Sequence, residues 1–368
     1  MRTGHIHIDG GMGEGGGQVL RAALALSAGL GKPFTIAGIR RARRKPGLRK
    51  QHLCAVNAVA AICRAKCSGV WADSDRLSFE PGPVQPGEYL FDIRGAGSCT
   101  LVLQAVLPHL LMASGPSRVT VRGATHTTNA PSYDFFAETL LPVLTKLGPK
   151  LQVRLDRHGF GAGGGSMTVE ILPASEPQRL EWDNQYGTLS ASAAWRFCIL
   201  AANLPDGLAE YEAEQIVESL WGGLFPGDME GLRQFAREHL HGGWPHIERV
   251  PDADGPGNVI LWKSVQATGT RVLGAYGGTS RTSARQAAEE ICARLAYYRE
   301  YWGNADRYLA DQLIVPLALG RGGFFFCQTP TLHTRTCCAV TGLFTGKSVA
   351  VQQLHDMPHW KIEVPGAV

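Results

Sequence analysis

A run of basic residues at positions 40–50, RRARRKPGLRK, has the clearest potential for chemistry in this sequence. It holds seven of the 36 lysines and arginines, and removing these charges from the formal net charge of +4 leaves the rest of the chain at −3. A positive field concentrated at one place attracts polyanions, so the run predicts phosphate binding. The charge pattern alone leaves a solvated basic surface open as the alternative.

A glycine-rich loop precedes the basic run and contains a single acid, Glu14, between Gly13 and the glycines at 15–17. An apolar helical pattern begins at Val19, so the segment predicts a strand, a glycine loop and a helix. Such a loop matches neither the Walker A pattern nor a convincing dinucleotide fingerprint. It can nevertheless bring backbone N–H groups close to a phosphate. A carboxylate there would repel phosphate unless a divalent metal lay between them, which makes Glu14 a candidate Mg²⁺ or Mn²⁺ ligand; a glutamate that only favours the helix start is the alternative.

His333 lies in the segment TPTLHTRTCC, shortly after the strand-like residues 324–326. This placement predicts an imidazole at a strand end, beside threonine and arginine, although a lone histidine is more often structural. No Ser/His/Asp triad or zinc-ligand spacing accompanies it in the sequence, since Cys337 and Cys338 are adjacent and the CRAKC segment has no matching second pair.

Three further polar side chains fall on predicted helices. Asp311 and Gln312 lie in the first turn of a helix that begins near Tyr308, at an end that a ligand can reach. Gln104 lies within an apolar helix, where a lone amide is either a satisfied core group or a ligand contact. Spacing alone does not decide between these two interpretations.

The composition is that of a globular protein with two domains or so, because 368 residues exceed what one hydrophobic core usually supports. Apolar residues make up 44% of the chain, enough for a sizeable core. The nine cysteines, an odd number without a regular extracellular framework, are predicted to be reduced thiols. No signal peptide is visible, and the longest apolar run, 101–113, is interrupted by Pro108 and His109. We therefore expect a cytoplasmic protein without a membrane segment.

The sequence contains an internal repeat. Gly13 and Gly97 each begin a glycine turn and an apolar helix, and each helix leads to a further turn and a strand-like segment, FTIAGIR or RVTVRGA. The interval from the first glycine to the next turn glycine, Gly31 or Gly115, is 18 residues in both copies. A looser third copy begins with ADQLIVPLALG and GGFFFCQ. Each copy predicts a helix, a strand, a second helix and a strand pair, so that together they form an α/β fold of three repeated units.

The segment between Glu181 and about Tyr301 interrupts this rhythm, with acidic or mixed helices such as EYEAEQIVESLWGGL and turns rich in glycine and proline such as DGPGN. We therefore predict a catalytic domain in which residues 1–182 hold the first two repeats and residues 301–368 hold the third. A smaller inserted α/β domain, 183–300, separates them. A diverged fourth repeat is the alternative for the inserted segment.

Taken together, the motifs resemble those of the RNA 3′-terminal phosphate cyclases. The resemblance rests on IDGGMGEGGGQVLR, KPGLRKQHL, GAGSCTLVLQAVLPHL, RHGFGAGGG, DGPGN, YLADQL and a final T-x-H-x-x-T, which follow one another in the family's order over nearly the whole chain. It implies three α/β units related to the C-terminal fold of a translation initiation factor, with a smaller inserted α/β domain. It also implies conversion of an RNA 3′-phosphate, with ATP, into a 2′,3′-cyclic phosphate, AMP and pyrophosphate.

The resemblance also assigns roles to residues of this chain. His333 matches the nucleophile that forms a covalent histidyl-AMP, and Glu14 matches the acid that binds Mg²⁺ or Mn²⁺. The positions that hold phosphates are matched by Arg21, Arg40, Arg43, Gln51 and His52. The nucleotide pocket is matched by Gln104, Tyr308, Leu309, Ala310, Asp311 and Gln312. We place Arg40, Arg43 and His52 with His333 in the catalytic set, and Arg21 and Gln51 in the nucleotide-binding set. The implied partner is RNA with a 3′-phosphate end, and no obligatory protein partner is implied.

Two features depart from the family pattern. The family commonly has H-x-x-T-N at the catalytic histidine, whereas Cys337 follows Thr336 here. We expect this change to lower the rate or alter acceptor preference rather than abolish adenylation. The loop 125–129, THTTN, also differs in composition from the family's loop, and the inserted segment diverges most.

Two other classes of protein are the alternatives. One is a non-catalytic relative of the cyclases with a structural or RNA-processing role, against which the retained His333, Glu14 and Arg43 argue. The other is a small-molecule transferase on a similar repeated scaffold, such as the enolpyruvyl transferases. The Gln51-His52 pair and the T-x-H motif argue against that class.

Overall fold

A computed structural model describes residues 4–183, 194–222, 228–239, 244–266, 269–300, 304–354 and 359–367. The first unit consists of β1 (Ile6–Asp9), α1 (Gly17–Leu30), β2 (Phe34–Ala37), α2 (Lys50–Cys63), β3 (Lys66–Ser68) and β4 (Arg76–Glu80). The strands form one sheet in the order β1-β2-β4-β3, in which β1 and β2 are parallel and the other pairs are antiparallel.

The second unit repeats this arrangement. It consists of β5 (Glu88–Asp92), α3 (Cys99–Leu110), β6 (Ser117–Gly123), a π-helical segment (Phe135–Leu140) that continues into α4 (Leu141–Thr145), β7 (Lys150–Arg157) and β8 (Gly165–Leu172). Its sheet has the order β5-β6-β8-β7, again with one parallel pair followed by two antiparallel pairs. The predicted repeat is therefore a repeat of topology.

A short strand, β9 (Leu180–Trp182), comes before the inserted segment. That segment consists of β10 (Ala194–Ala202), α5 (Leu208–Trp221), α6 (Met229–His239), β11 (His246–Arg249), β12 (Gly257–Gln266), β13 (Gly269–Tyr276) and α7 (Arg281–Glu300). Its sheet order is β11-β10-β12-β13, which differs from the order in the repeated units. The alternative of a diverged fourth repeat is therefore wrong. Residues 223–224, at the end of the predicted helix EYEAEQIVESLWGGL, lie outside the described residues, as do residues 185–193 and 301–302 near the two ends of this segment.

The third unit is completed by the elements after the insertion: α8 (Leu309–Leu319), β14 (Gly322–Cys327), α9 (Leu332–Thr345), β15 (Ala350–Gln353) and β16 (Trp360–Pro365). Its sheet order, β9-β14-β16-β15, again corresponds to the order in the first unit. Because β9 pairs with β14, the insertion lies inside the third unit, after its first strand, and not before this unit as we predicted. A parallel bridge from Ala305 to Cys327 resumes the pairing along β14 after the insertion. The α/β fold class with three repeated units and an inserted α/β segment is confirmed.

The corresponding helices of the three units, α1, α3 and α8, contact one another in the centre of the protein. Every side chain of α1 from Gln18 to Ala28 is buried, because α1 also packs against α2 and α9. A second core lies between the inserted sheet and the helices α5 and α7. Mutual packing of equivalent helices fixes where their N-terminal ends lie relative to one another.

The nine cysteines are all free, as the sequence predicts. In the part of the chain that the structure describes, no helix has both the length and the apolar content needed to cross a bilayer.

His109, near the end of α3, is a buried polar residue outside the candidate site, and it gives a test of the fold's pH dependence. Its side chain is 1% exposed, and neither ring nitrogen has a hydrogen-bond partner among the described residues. Burial lowers the pKa of His109 to about 3. Since the unfolded chain binds a proton below about pH 6.5 and the folded chain does not, His109 destabilises the fold as the pH falls.

Replacing His109 by leucine should therefore stabilise the protein in acid. As the pH is lowered from 8 to 5, the free energy of unfolding of the variant should rise by about 2 kcal/mol relative to the wild type. The reason is that pH 5 lies about 1.5 units below the pKa of an unfolded histidine, and each unit corresponds to about 1.36 kcal/mol. Urea unfolding at several pH values measures this difference. The exposed His7 offers a control, His7→Gln, which should show no such trend. A His109→Leu difference that stays constant with pH would contradict the account.

Candidate active site

The predicted site residues meet where four helices begin. Helices α1, α2, α8 and α9 contact one another through the pairs α1 with α2, α8 and α9, and α8 with α9. Glu14 precedes α1, Gln51 and His52 lie in the first turn of α2, Asp311 lies in that of α8, and His333 in that of α9. Helix N-termini carry a partial positive charge and free N–H groups, so their convergence favours an anionic ligand such as a phosphate.

The His333 imidazole faces the glycine loop that precedes α1. Its Nε2 is 3.3 Å from Oε2 of Glu14, and Arg43 forms an ion pair with the same carboxylate oxygen. The His333 side chain is 47% exposed, whereas that of Glu14 is only 8% exposed. The prediction that His333 lies at a strand end is wrong, because α9 begins at Leu332. A histidine in the first turn of a helix has the same access to an anion.

Burial lowers the pKa of His333 below its ordinary value. The Glu14 carboxylate opposes this shift, while the positive charges of Arg21 and Arg43 reinforce it. The imidazole is therefore neutral at pH 7 and, being half exposed, open to a ligand. A neutral, accessible imidazole has the lone pair that a nucleophile needs.

Glycines allow the loop around Glu14 to close on α9 and on the basic run. Gly13 has a φ of +60°, and a Cβ at this position would collide with Oγ1 of Thr336. At Gly16 a Cβ would collide with the Glu14 carboxylate and would lie 2.7 Å from Nη2 of Arg43. The Thr336 hydroxyl accepts a hydrogen bond from the Glu14 N–H, at 3.3 Å, and donates to the Leu332 carbonyl, at 2.6 Å. The loop and the start of α9 therefore form one surface.

Arg21 is the buried cation of the site. Its Nε donates to Oε1 of Gln104, at 3.0 Å, and its Nη2 donates to Oε1 of Gln18, at 2.7 Å. Burial lowers the pKa of Arg21 to about 10, opposed by the negative charges of Asp311 and Glu14. The guanidinium is thus still charged at neutral pH, held in place by two amides and able to attract phosphate from within the protein.

Arg21 also faces a pocket between the first turn of α8 and the apolar side of α3. The residues that line this pocket are Gln18, Arg21, Ala22, Leu103, Gln104, Leu107, Pro108, Phe136, Leu140, Leu144, Asp311, Gln312, Val315 and Pro316. Four members of the predicted nucleotide set, Arg21, Gln104, Asp311 and Gln312, are thereby brought together. An apolar wall with a few convergent polar groups is typical of a small-molecule site.

The polar groups of this pocket are suited to hydrogen bonding with a ligand. Burial raises the pKa of Asp311 to about 7, although Arg21 lowers it, so protonated and ionised forms coexist near neutral pH. Gln312 donates to the Tyr308 carbonyl, at 2.9 Å, and its Oε1 is buried without a hydrogen-bond partner among the described residues. A buried acceptor without a partner is costly, and a donor on a ligand would remove that cost.

The remaining members of the YLADQ motif are placed differently. Leu309 and Ala310 are fully buried, so their side chains belong to the core and only their backbone faces the helix end. The Tyr308 side chain is 39% exposed and does not line the pocket. Its ring lies 5.6 Å from the guanidinium of Arg294 and 5.8 Å from that of Arg307.

His52 is buried at the start of α2, against α1. Burial lowers the pKa of His52 to about 3, and the nearby Arg21, Arg40 and Arg49 lower it further. Its Nδ1 accepts the Arg49 N–H, at 3.2 Å. The neutral ring therefore carries its proton on Nε2, which lies beside Gly17 at the start of α1, where a Cβ would approach it to 2.7 Å. His52 thus presents an N–H donor, not a charge.

The side chains of Gln51 and Arg40 form hydrogen bonds with backbone groups. Oε1 of Gln51 accepts the Ser98 N–H, at 3.1 Å, which connects the first unit to the start of α3. Arg40 donates to the carbonyls of Lys45 and Gly47, at 2.7 and 2.9 Å, and so closes the basic run into a loop. Their phosphate contacts stay predictions.

Several residues of the site were not identified from the sequence. Gln18 and Thr336 hold Arg21 and the glycine loop, as described above. Asp306 accepts the N–H groups of Tyr308 and Leu309, both at 2.7 Å, and so caps the start of α8. An aspartate shortly before an apolar helical pattern is a recognisable capping signal, so Asp306 was within reach of sequence reasoning.

The Glu14 carboxylate has an oxygen atom that could bind a divalent cation. Its Oε1 is buried and has no hydrogen-bond partner among the described residues, so one carboxylate oxygen is available to a ligand. The described residues contain no group of three or more metal-binding side chains. Mg²⁺ commonly binds to one or two carboxylates together with substrate phosphates, and a single glutamate among helix N-termini fits that pattern.

The two departures from the family pattern also have a place in the structure. Cys337 is fully buried below Arg21, where its thiol contacts Gln18 and burial raises the pKa of the thiol well above its ordinary value. It is therefore protonated and unreactive. In the loop 125–129, His126 is buried and its Nε2 lies 2.8 Å from Oδ2 of Asp134, which in turn binds Lys263 of β12. This loop therefore contributes to the contact with the inserted sheet.

Comparisons with known proteins show what this chain is similar to. The family model for RNA 3′-terminal phosphate cyclase matches residues 12–351. An RNA 3′-terminal phosphate cyclase from Koribacter versatilis (strain Ellin345) is 40% identical over 349 residues, which cover 95% of this chain and 92% of the relative. Among solved structures, the enolpyruvyl transferase NikO from Streptomyces tendae aligns with 99% of this chain and 48% of its own chain, at 10% identity and a TM-score of 0.36.

The fold and the site define an α/β protein of three repeated units in which helix N-termini surround a histidine, a glutamate and a buried arginine. The chain belongs to the RNA 3′-terminal phosphate cyclase family.

Proposed function

We propose that the protein converts the 3′-terminal phosphate of RNA into a 2′,3′-cyclic phosphate, using ATP and Mg²⁺ or Mn²⁺ and releasing AMP and pyrophosphate. The observation that carries the proposal is the position of His333, whose half-exposed imidazole lies 3.3 Å from Glu14 among four helix N-termini. Membership of the cyclase family supports the same reaction. The substrate is RNA with a 3′-phosphate end, with no obligatory protein partner.

The reaction proceeds in three transfers. Nε2 of His333, which faces the site, attacks the α-phosphorus of ATP, and the bond to the β-phosphate breaks to release pyrophosphate. The RNA 3′-phosphate then attacks the histidyl-AMP, breaking the P–N bond to give RNA-(3′)pp(5′)A. Finally, the neighbouring 2′-hydroxyl attacks the 3′-phosphorus, loses its proton and displaces AMP. Covalent catalysis divides one difficult dehydration into easier steps.

The residues around His333 supply positioning and charge. Arg21 and Arg43 hold phosphate oxygens, and the Nε2–H group of His52 donates a hydrogen bond to one of these oxygens. These contacts stabilise charge on the transferring group. The pocket beside Arg21, with Gln104, Asp311 and Gln312, takes the nucleoside of ATP. Tyr308 does not line this pocket, but it lies three residues before Asp311, and we propose that its exposed ring packs on adenine.

Glu14 is the residue that would hold the divalent cation, through the carboxylate oxygen that has no protein partner. When bound, the cation neutralises charge on the phosphates. The Glu14 carboxylate also reduces the electrostatic repulsion between Arg43 and Arg21.

We further propose the domain boundaries predicted above, after residues 182 and 300, and a cytoplasmic location.

The proposal is tested with purified wild-type protein, α-³²P-labelled ATP and Mg²⁺ or Mn²⁺, followed by RNA with a 3′-phosphate. We expect an acid-labile label on the protein, which RNA removes, and an RNA end that resists phosphatase. If the protein is not labelled with either metal, the mechanism is excluded. That result would favour the alternative, a non-catalytic relative with a structural or RNA-processing role, and would make RNA binding the next measurement.

Arg43 and Arg44 offer a matched pair for testing the basic run. Arg43 forms an ion pair with Glu14, whereas Arg44 is exposed and has no ion pair among the described residues. Arg43→Ala should slow single-turnover adenylation by about 100-fold, the usual effect of removing one donor to the transferring group. Arg44→Ala should change the rate by less than about threefold, since an exposed charge contributes little. Equal, mild losses would instead indicate a solvated basic surface.

A further inference from the structure

Trp71 is the most exposed of the large hydrophobic side chains among the described residues. It is 64% exposed and lies in the loop between β3 and β4. Tryptophan is usually well buried, because its ring carries a large apolar surface. An exposed tryptophan that is held in place by its surroundings therefore suggests contact with a ligand.

The Trp71 loop lies at the same edge of the first sheet as the candidate active site. In the sheet, Asp9 at the end of β1 is opposite Ala37 at the end of β2, and Ala37 is opposite Arg76 at the start of β4. The loop with Glu14 follows β1, the basic run follows β2, and the loop with Trp71 leads into β4. These three segments therefore leave the sheet side by side. With about 4.8 Å between strands, β4 lies about 10 Å from β1.

Hydrogen bonds attach the Trp71 loop to the basic run. Leu48 donates its N–H to the Ser74 carbonyl, at 3.0 Å, and accepts the Asp73 N–H, at 2.9 Å. Arg49 forms an ion pair with Asp73. The Ser74 N–H donates to the Trp71 carbonyl, at 3.2 Å, which closes the turn. The loop is thus fixed to the segment that contributes Arg43 to the active site.

The basic run that contacts the Trp71 loop carries further exposed cations. Arg44, Lys45 and Lys50 of the basic run are exposed, and Nζ of Lys50 donates to the carbonyl of the exposed Arg94, at 3.1 Å. Of the acids on the Trp71 loop, Asp73 is paired with Arg49, and Asp75 is exposed. A positively charged surface that carries an exposed aromatic ring is the usual arrangement for binding single-stranded nucleic acid, because cations follow the backbone and a base stacks on the ring.

We propose that Trp71 is a stacking platform for a base of the RNA substrate, upstream of the 3′-phosphate that reacts at His333. The inference rests on the proposed function and adds a substrate preference to it. At about 3.4 Å per stacked nucleotide, the distance from β1 to β4 corresponds to about three nucleotides. The protein should therefore distinguish an oligonucleotide, which reaches Trp71, from a dinucleotide, which does not.

The test compares cyclisation of an octanucleotide and a dinucleotide, both with a 3′-phosphate, by the wild type, Trp71→Ala and Trp71→Phe. Trp71→Ala should raise KM for the octanucleotide by about tenfold, the order of one lost base stack, and leave its kcat unchanged. The KM for the dinucleotide should not change. Trp71→Phe should restore most of the octanucleotide affinity, because a phenyl ring also stacks.

Leu172→Ala is the matched control, since Leu172 is 48% exposed on β8 of the second unit. It should not change either KM. Equal KM values for Trp71→Ala and wild type would overturn the proposal, and so would a loss that affects the dinucleotide equally, because that pattern indicates a structural role.

A second measurement does not depend on turnover. Binding of the octanucleotide should quench the part of the tryptophan emission that is lost in Trp71→Phe. If the wild type cyclises neither RNA, the proposed function fails, and the quenching experiment still decides whether Trp71 contacts RNA. Absence of quenching that depends on Trp71 would overturn the platform even in an active enzyme.

Discussion

His333→Ala will lose covalent labelling by α-³²P-labelled ATP and, with it, cyclisation of RNA 3′-phosphate ends. The loss should be at least about 1,000-fold, because removal of a nucleophile leaves only the catalysis that binding and electrostatics provide. Alanine cannot form the P–N bond on which both later transfers depend. Single-turnover labelling followed by acid treatment measures the first step, and analysis of the RNA end measures the last.

Two controls separate this loss from a folding defect. His333 is 47% exposed, so the alanine variant should unfold within about 0.5 kcal/mol of the wild type. His7→Ala removes another exposed histidine, on β1, and should label normally. If His333→Ala labels as fast as the wild type, the nucleophile lies elsewhere and the proposed mechanism is wrong.

Glu14→Gln should have the second largest effect, lowering the rate of adenylation by about 100-fold or more. The substitution keeps the size of the side chain and removes the charge that would hold a divalent cation beside the phosphates. We also expect the concentration of Mg²⁺ or Mn²⁺ required for half-maximal labelling to rise. A titration of each metal in the labelling assay gives both quantities.

Asp9→Asn is the matched control for Glu14→Gln. Asp9 ends β1, pairs with Arg41 of the same basic run and is 54% exposed, so it provides an ion pair without the enclosed position of Glu14. It should leave the metal requirement unchanged. A slow Glu14→Gln variant with the wild-type metal requirement would show that Glu14 acts only as the counter-ion of Arg43.

The repeats and the glycine loop could be predicted from the sequence because they depend on local signals. Glycines at fixed intervals and apolar helices mark the first two units, and the acid at Glu14 is conspicuous among glycines. The prediction that His333 lies at a strand end was wrong because only residues 328–331 separate β14 from α9. This segment is too short for periodicity to reveal a change from strand to helix. Strand β9 has three residues, which is too short for an alternating pattern.

The rest of the site depends on contacts between distant parts of the chain. The hydrogen bond from Glu14 to Thr336 joins residues 322 positions apart, and that from Arg21 to Gln104 joins residues 83 apart. No local pattern reports such pairs. Gln104 is an example of this limit of sequence-based prediction. From the sequence it could be either a core amide or a ligand contact, whereas the structure places it against Arg21 at the wall of a pocket.

The split first strand of the third unit identifies a natural graft point in this fold. Trp182 is opposite Phe325 on β14, and after more than a hundred intervening residues Ala305 is opposite Cys327, so the chain returns to the strand position that it left. Only one residue, opposite Phe326, is needed between Trp182 and Ala305, so joining Asp183 directly to Ala305 would restore one uninterrupted strand, equivalent to β1 and β5. Evolution, or protein engineering, can therefore add, exchange or shorten a lobe here while the register of β14 and the start of α9 stay as they are.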